Sequence, residues 1–217
     1  MVFPDDPQPI SVDFLKKLDA APPGTYFGQP KKDGWRRLIH FDAGKWTAQA
    51  KRGSEGSARP LPEELSSYLD GLAQNECLQG VTWDSELMGT RMVEHGRAKT
   101  LQVFDILRQE GRWLREVSFR ARQDRLMLLW DELKWPLRAG VLPEMSQTWT
   151  DAPVQLVPTF SNPGLVDLFQ QQMQDALSEG LVVRRADSTL ILDLKKCTIN
   201  ALILKIKYRN IREKVIP

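Results

Sequence analysis

The chain has 217 residues, of which 41% are hydrophobic and 27% charged, with a formal net charge of +2. That is enough for one large domain with a sizeable core. The composition is ordinary for a globular protein, and the charge is no strong nucleic-acid signature. Two widely separated cysteines (Cys77, Cys197) and two histidines (His40, His95) disfavour a histidine zinc site or a Ser-His-Asp triad, so chemistry must rest on Lys, Arg and carboxylates.

Residues 1–24, rich in Pro and Asp, are predicted to form an arm or cap with one short amphipathic piece, Val12–Leu18. Thr25–Gln29 is predicted to be a strand leading into Gln29-Pro30-Lys31-Lys32-Asp33-Gly34-Trp35-Arg36. There Pro30 favours extended backbone at Gln29, Gly34 permits a tight bend, and Lys31 is expected on a short connection at a sheet edge. Trp35–Phe41, the turn Asp42-Ala43-Gly44 and Lys45–Lys51 read as a hairpin, followed by a loop from Gly53 to Pro60.

Pro62 opens a predicted helix through Ala73, with Glu63 and Glu64 suited to its N-terminal dipole. Val81–Met88 reads as a strand with Asp84 and Glu86 on one face, and Leu101–Leu107 as an apolar strand. Ser118–Leu133 has helical periodicity; Arg115, Arg120, Arg122 and Arg125 fall at polar positions. A strand over Val154–Val157 precedes a helix capped by Asn162, carrying Leu165, Leu168, Phe169, Met173 and Leu177 and ended by Gly180. Leu181–Arg184, Thr189–Leu194 and Ala201–Lys207 are the closing apolar segments. The expected class is α+β, with antiparallel sheets flanked by helices.

Charge is uneven along the chain. Nine basic and three acidic residues stand between Arg184 and Lys214, a net +6 against −4 elsewhere. This end suits a phosphate-facing surface as well as a solvated face.

Six segments occur in one order: Lys31-Lys32-Asp33-Gly34-Trp35-Arg36, Lys51-Arg52-Gly53, Asp84-Ser85-Glu86-Leu87, Phe104-Asp105-Ile106-Leu107, Glu179-Gly180-Leu181-Val182-Val183-Arg184 and Lys205-Ile206-Lys207. The set resembles the covalent nucleotidyltransferase superfamily of ATP-dependent DNA ligases, RNA ligases and mRNA capping guanylyltransferases, from about Gly28 to Lys207. The Glu179–Arg184 and Phe104–Leu107 runs look most like DNA ligases. Gly111, Leu114, Arg122 and Leu126 also fall where a ligase carries a Gly…Leu…Arg…Leu pattern.

The resemblance implies an ATP-grasp-like nucleotidyltransferase (adenylation) domain over 25–209, preceded by the 1–24 arm and followed by a 210–217 tail, with no OB barrel in this chain. It implies an ATP-dependent DNA ligase in which Lys31 attacks the α-phosphorus of ATP and carries AMP covalently, with Mg2+ as the metal. Asp33 would orient the lysine or a metal-bound water, with Gly34 among the nucleotide-binding residues. Arg36 would hold ribose or phosphate, and Glu86 the ribose hydroxyl or the metal shell. Phe104 would stack on adenine, Glu179 would place the metal, and Lys205 and Lys207 would grip the α-phosphate. Arg52 would meet the substrate 5′-phosphate. Taken singly, Phe104 also reads as core, Glu86 and Glu179 as surface carboxylates, and Lys205 and Lys207 as the outward face of a strand.

Ser85 and Lys51 depart from the pattern, where Gly and often Ser are usual. Only ten residues follow Lys207, where relatives continue into an OB-type barrel. The resemblance then implies either an adenylation domain cut from a longer protein, with the barrel or a partner protein outside this chain, or a minimal enzyme that works without that barrel. The expected partner is nicked DNA or RNA, bound by a monomer without a membrane. No apolar run reaches spanning length and the Met-Val-Phe-Pro-Asp-Asp start resembles no secretory leader, so a cytoplasmic or nucleoid- or nucleus-associated location is expected. An RNA ligase, a guanylyltransferase and a non-catalytic nucleic-acid-binding relative are the alternatives.

Overall fold

The computed structural model describes residues 7–50, 60–88, 100–133, 153–174, 178–190 and 200–207; Arg52, His95, Leu177, Cys197 and residues 191–194 lie outside them. The elements in chain order are β1 (Pro7–Pro9), α1 (Val12–Asp19), β2 (Tyr26–Lys32), β3 (Gly34–Asp42), β4 (Lys45–Ala50), α2 (Glu63–Ala73), β5 (Thr82–Met88), β6 (Leu101–Gln109), β7 (Arg112–Trp113), α3 (Phe119–Glu132), β8 (Val154–Leu156), β9 (Phe160–Ser161), α4 (Leu165–Gln172), β10 (Ser178–Arg185) and β11 (Asn200–Lys207). They form two compact units. One comprises Gly34–Leu114 and Ala121–Leu156, the other Val2–Asp33, Arg115–Arg120 and Val157–Pro217. The class is α+β, and among the described residues both sheets are open, with no barrel. No helix among the described residues is long and apolar enough to cross a membrane.

The unit that contains Lys31 is built on a five-stranded sheet in the order β1-β11-β10-β2-β9. β10 runs antiparallel to both β2 and β11. Side chains alternate between the faces of a strand. Leu181, Val183, Leu204 and Ile206 therefore share one face, where they pack with Leu15 and Leu18 of α1 and Leu165, Leu168 and Phe169 of α4. Each such fully buried side chain contributes about 1.5–3 kcal/mol of transfer free energy. The opposite face carries Gln29 and Lys31 of β2, Val182 of β10, and Lys205 and Lys207 of β11. α1 begins at Ser11, whose Oγ accepts from Phe14 N at 3.2 Å.

Two expectations fail around α4. Asn162 is not its cap. The Asn162 side chain accepts from Tyr26 N at 2.8 Å and donates to Ala21 O at 2.8 Å and Pro22 O at 3.1 Å, tying the entry of β2 to the preceding turn. The first α4 amides are instead satisfied from α1: Gly164 and Leu165 both donate to Asp19 Oδ1 at 2.8 Å. Gly180 ends no helix; it lies inside β10.

The second unit is built on a six-stranded sheet, β4-β3-β5-β6-β7, with β8 pairing parallel to β6. The β3–β4 hairpin closes through Ala43 and Gly44, with φ of 49° and 71°. Positive φ at both central residues makes the type I′ geometry whose twist matches the flanking strands. Phe41 meets Trp83 edge-to-face and Trp83 meets Trp130 at a tilt in its core, with centroids 4.7 Å and 6.0 Å apart. Arg122, expected at a polar position, is buried. Its Nε and Nη2 each donate to Asp105 at 3.0 Å, and this bidentate pair removes the penalty of burying either charge alone.

Candidate active site

Lys31 is a strand residue, not part of a connection. It stands opposite Gly180 of β10, which in turn stands opposite Lys207 of β11. The strand runs through Pro30 because, among the described residues, β9 pairs only with Phe27 and Gly28, leaving that side of β2 without a ladder partner from Gln29 onward.

The register between β2 and β10 passes from Ser178 to Gly180, skipping Glu179. Glu179 is thus the extra residue of a β-bulge, a device that re-aims a side chain. Its Oε2 accepts from Lys31 Nζ and from Lys207 Nζ, the latter at 2.9 Å. The side chains of Lys31, Glu179 and Lys207 are 23%, 25% and 33% exposed, so this triad is screened from water but reachable. Burial pushes the Glu179 carboxyl up, but the hydrogen bonds and charges of Lys31 and Lys207 outweigh it and bring the group down to about 2. Gly180 makes the bulge possible, since a Cβ there would stand 1.8 Å from Ile206 O at a φ of +146°. Lys205 lies two residues before Lys207 on the same face, level with Val182 and Gln29.

The other unit holds a second group. Arg36 Nε donates to Asp84 Oδ1 at 2.8 Å, its Nη2 donates to Asp84 Oδ2, and its guanidinium lies 5.8 Å from the Phe104 ring centre. Phe104 is also a bulge residue: Ser85 pairs with Val103 and Asp84 with Asp105, leaving Phe104 between them. Glu86 stands opposite Arg36 in the ladder and raises the pKa of buried Arg37, against a larger lowering by burial.

Gly34 serves a different purpose from the expected bend. It is the first residue of β3, and a Cβ on it would stand 2.5 Å from Leu87 O and 2.8 Å from Glu86 Cγ, so the close approach of β5 requires glycine. Asp33 is exposed between β2 and β3. Arg52 lies outside the described residues.

Among the described residues no three or more His, Cys, Asp and Glu side chains group as a metal site. Magnesium needs no such cage, since it is commonly held by one or two carboxylates together with substrate phosphates and water. Glu179, an ionised carboxylate facing two ammonium groups, is a carboxylate of the kind that mode uses.

No family model matches the sequence, and no curated protein matches it either. Solved structures do match. A mycobacterial DNA ligase D in complex with ATP superposes with a TM-score of 0.56 at 18% identity, over 84% of this chain and 54% of that one. The ATP-dependent DNA ligase of bacteriophage T7, also in complex with ATP, gives 0.54 at 19% identity over 94% and 68%. An RNA ligase of Naegleria gruberi gives 0.51 at 15% identity over 98% and 58%. The chain has the nucleotidyltransferase-domain fold of nucleic-acid ligases. It spans about half the length of the first of these chains.

Within that fold the structure joins Lys31, Glu179 and Lys207 in one group, and Arg36, Glu86 and Phe104 in another. Asp84 is the participant that sequence reasoning passed over, although its place two residues before Glu86 on one strand face was visible. What singles it out is burial beside Arg36, a contact across 48 residues of chain.

Proposed function

We propose that this chain is the adenylation domain of an ATP-dependent polynucleotide ligase, acting on nicked DNA, with Lys31 as the nucleophile. The observation that carries this reading is the sharing of Glu179 Oε2 by Lys31 and Lys207. A lysine amine aimed by one carboxylate, with a second cation alongside, is an arrangement for attack on a phosphate.

Lys31 Nζ would attack the α-phosphorus of ATP. The Lys31 ammonium first gives one proton to water, freeing the lone pair; the N–P bond then forms, the P–O bond to the β-phosphate breaks, pyrophosphate leaves with those electrons, and a second proton passes from nitrogen to water. With its carboxyl near 2, Glu179 stays ionised and is a poor base, so it orients the amine rather than deprotonating it. Lys207 and Lys205 would meet the negative charge that builds on the phosphate oxygens. Phe104 would take the base and Glu86 the ribose. A divalent metal held at Glu179 would supply neutralising charge to the phosphates. AMP would then pass to a 5′-phosphate: the P–N bond breaks as a pyrophosphate linkage forms, and a 3′-hydroxyl displaces AMP to seal the strand.

DNA is preferred over RNA because the Phe104–Leu107 and Glu179–Arg184 runs resemble DNA ligases most closely. Incubation with α-labelled ATP and magnesium should leave a label that survives denaturation and is absent in Lys31→Ala. Unlabelled wild-type protein that also fails to seal a pre-adenylylated nick overturns the proposal. Competition with GTP, and nicked DNA against single-stranded RNA, separate the neighbouring activities.

A further inference from the structure

The ladder places Arg36 opposite Glu86, Glu86 opposite Gln102, and Gln102 opposite Gln155. Residues paired across strands point to the same face, with Cβ atoms about 5 Å apart. A row of four polar side chains therefore crosses β3, β5, β6 and β8 at one level. Gln102 is the unusual member. It is only 4% exposed, and its Oε1 is buried with no hydrogen-bond partner among the described residues.

A buried amide oxygen normally finds a donor, because desolvating it without one is costly. Such an atom is tolerated where a ligand brings the donor. Gln102 offers an acceptor on the residue that pairs with Glu86 across the strands, so the fitting ligand carries two neighbouring O–H donors. A ribose diol does.

We infer that Gln102 is a specificity-determining residue, accepting a ribose hydroxyl next to Glu86 and making the chain select ribonucleotides over deoxyribonucleotides. The inference rests on the nucleotide-binding reading above, but not on the covalent step. It predicts an uncommon combination. Removing the amide leaves the folded protein no less stable, because no internal hydrogen bond is lost, yet it erodes discrimination against sugars that lack a hydroxyl.

The test compares wild type with Gln102→Met, an unbranched side chain of similar length. Binding of AMP, 2′-deoxy-AMP, 3′-deoxy-AMP and inosine monophosphate is measured by calorimetry, and unfolding midpoints without nucleotide are recorded beside them. Wild type should favour AMP over at least one deoxy analogue, and Gln102→Met should narrow that preference about fivefold, the loss of one hydrogen bond, with an unchanged or higher midpoint. An unchanged preference, a lower midpoint (the amide then has a partner in the protein) or a change confined to inosine monophosphate (the amide then reads the base) overturns it. Lys31 labelling is read separately. Labelling by ATP and 2′- or 3′-deoxy-ATP alike sinks the ribose inference alone, whereas selective binding with neither label nor sealing of a pre-adenylylated nick sinks the ligase reading alone. Absence of all nucleotide binding sinks both.

Discussion

Replacing Glu179 by Gln removes the one carboxylate that Lys31 and Lys207 share, leaving two ammonium groups facing each other across a neutral amide. The carboxyl falls from 4.5 to about 2 in the folded chain, which corresponds to at most about 3 kcal/mol of folding free energy. The group is a quarter exposed, and solvent screening reduces this to about 1–2 kcal/mol. A carboxyl whose folded pKa is depressed contributes fully above its unfolded value near 4.5. That contribution fades as the pH falls and is gone below about 2. Urea unfolding at pH 7, 5, 4 and 3 should therefore show wild type ahead of Glu179→Gln by about 1–2 kcal/mol at pH 7 and 5. The gap should shrink steadily at pH 4 and 3. A gap that stays constant from pH 7 to 3 would refute the charge-based account and assign the effect to shape. In labelling assays the same variant should lose most adenylation while remaining folded at pH 7, because the amine loses the group that aims it.

Other expectations follow from single contacts. Arg122→Met should cost about 3–5 kcal/mol in denaturant unfolding, by stranding the buried Asp105 carboxylate, and Arg122→Met with Asp105→Leu should cost clearly less. Asp19→Ala should cost about 1 kcal/mol by removing the acceptor for the first α4 amides; amide hydrogen exchange should show faster exchange at Leu165 and Val166. Gly180→Ala should destabilise by more than about 2 kcal/mol and abolish adenylation, because its Cβ meets Ile206 O at 1.8 Å; wild-type levels of both would show that the bulge is dispensable.

Much of the fold was legible because hydrophobic period is a local property. The hairpin, α2, α3 and most strands follow from alternation or helical spacing that neighbouring residues display by themselves. The errors sit where a partner distant in sequence decides. Arg122 looked like a polar helix position because Asp105, 17 residues away, is invisible to a periodic pattern. Asn162 looked like a cap because capping residues are read from the helix they precede, whereas Asp19 reaches α4 from 145 residues earlier. Gly34 and Gly180 were picked out as backbone punctuation, yet each is required by another strand's backbone approaching where a Cβ would stand.

The bulges show why a candidate site is harder to read than a core. Alternation assigns a face to each strand residue by counting in twos, and an inserted residue breaks the count. Glu179 and Phe104 both occupy such insertions, so neither face could be counted from flanking residues. In β10 the break serves the site directly. A regular ladder would set Glu179 and Gly180 on opposite faces, and Gly180 is level with Lys31 and Lys207. Slipping one residue frees Glu179 to bring its carboxylate to both ammonium groups, while glycine accepts the strained backbone beside it. The pairing of Glu with Gly at 179 and 180 is thus one device: the carboxylate orients the amines, and the glycine permits the bulge that delivers the carboxylate.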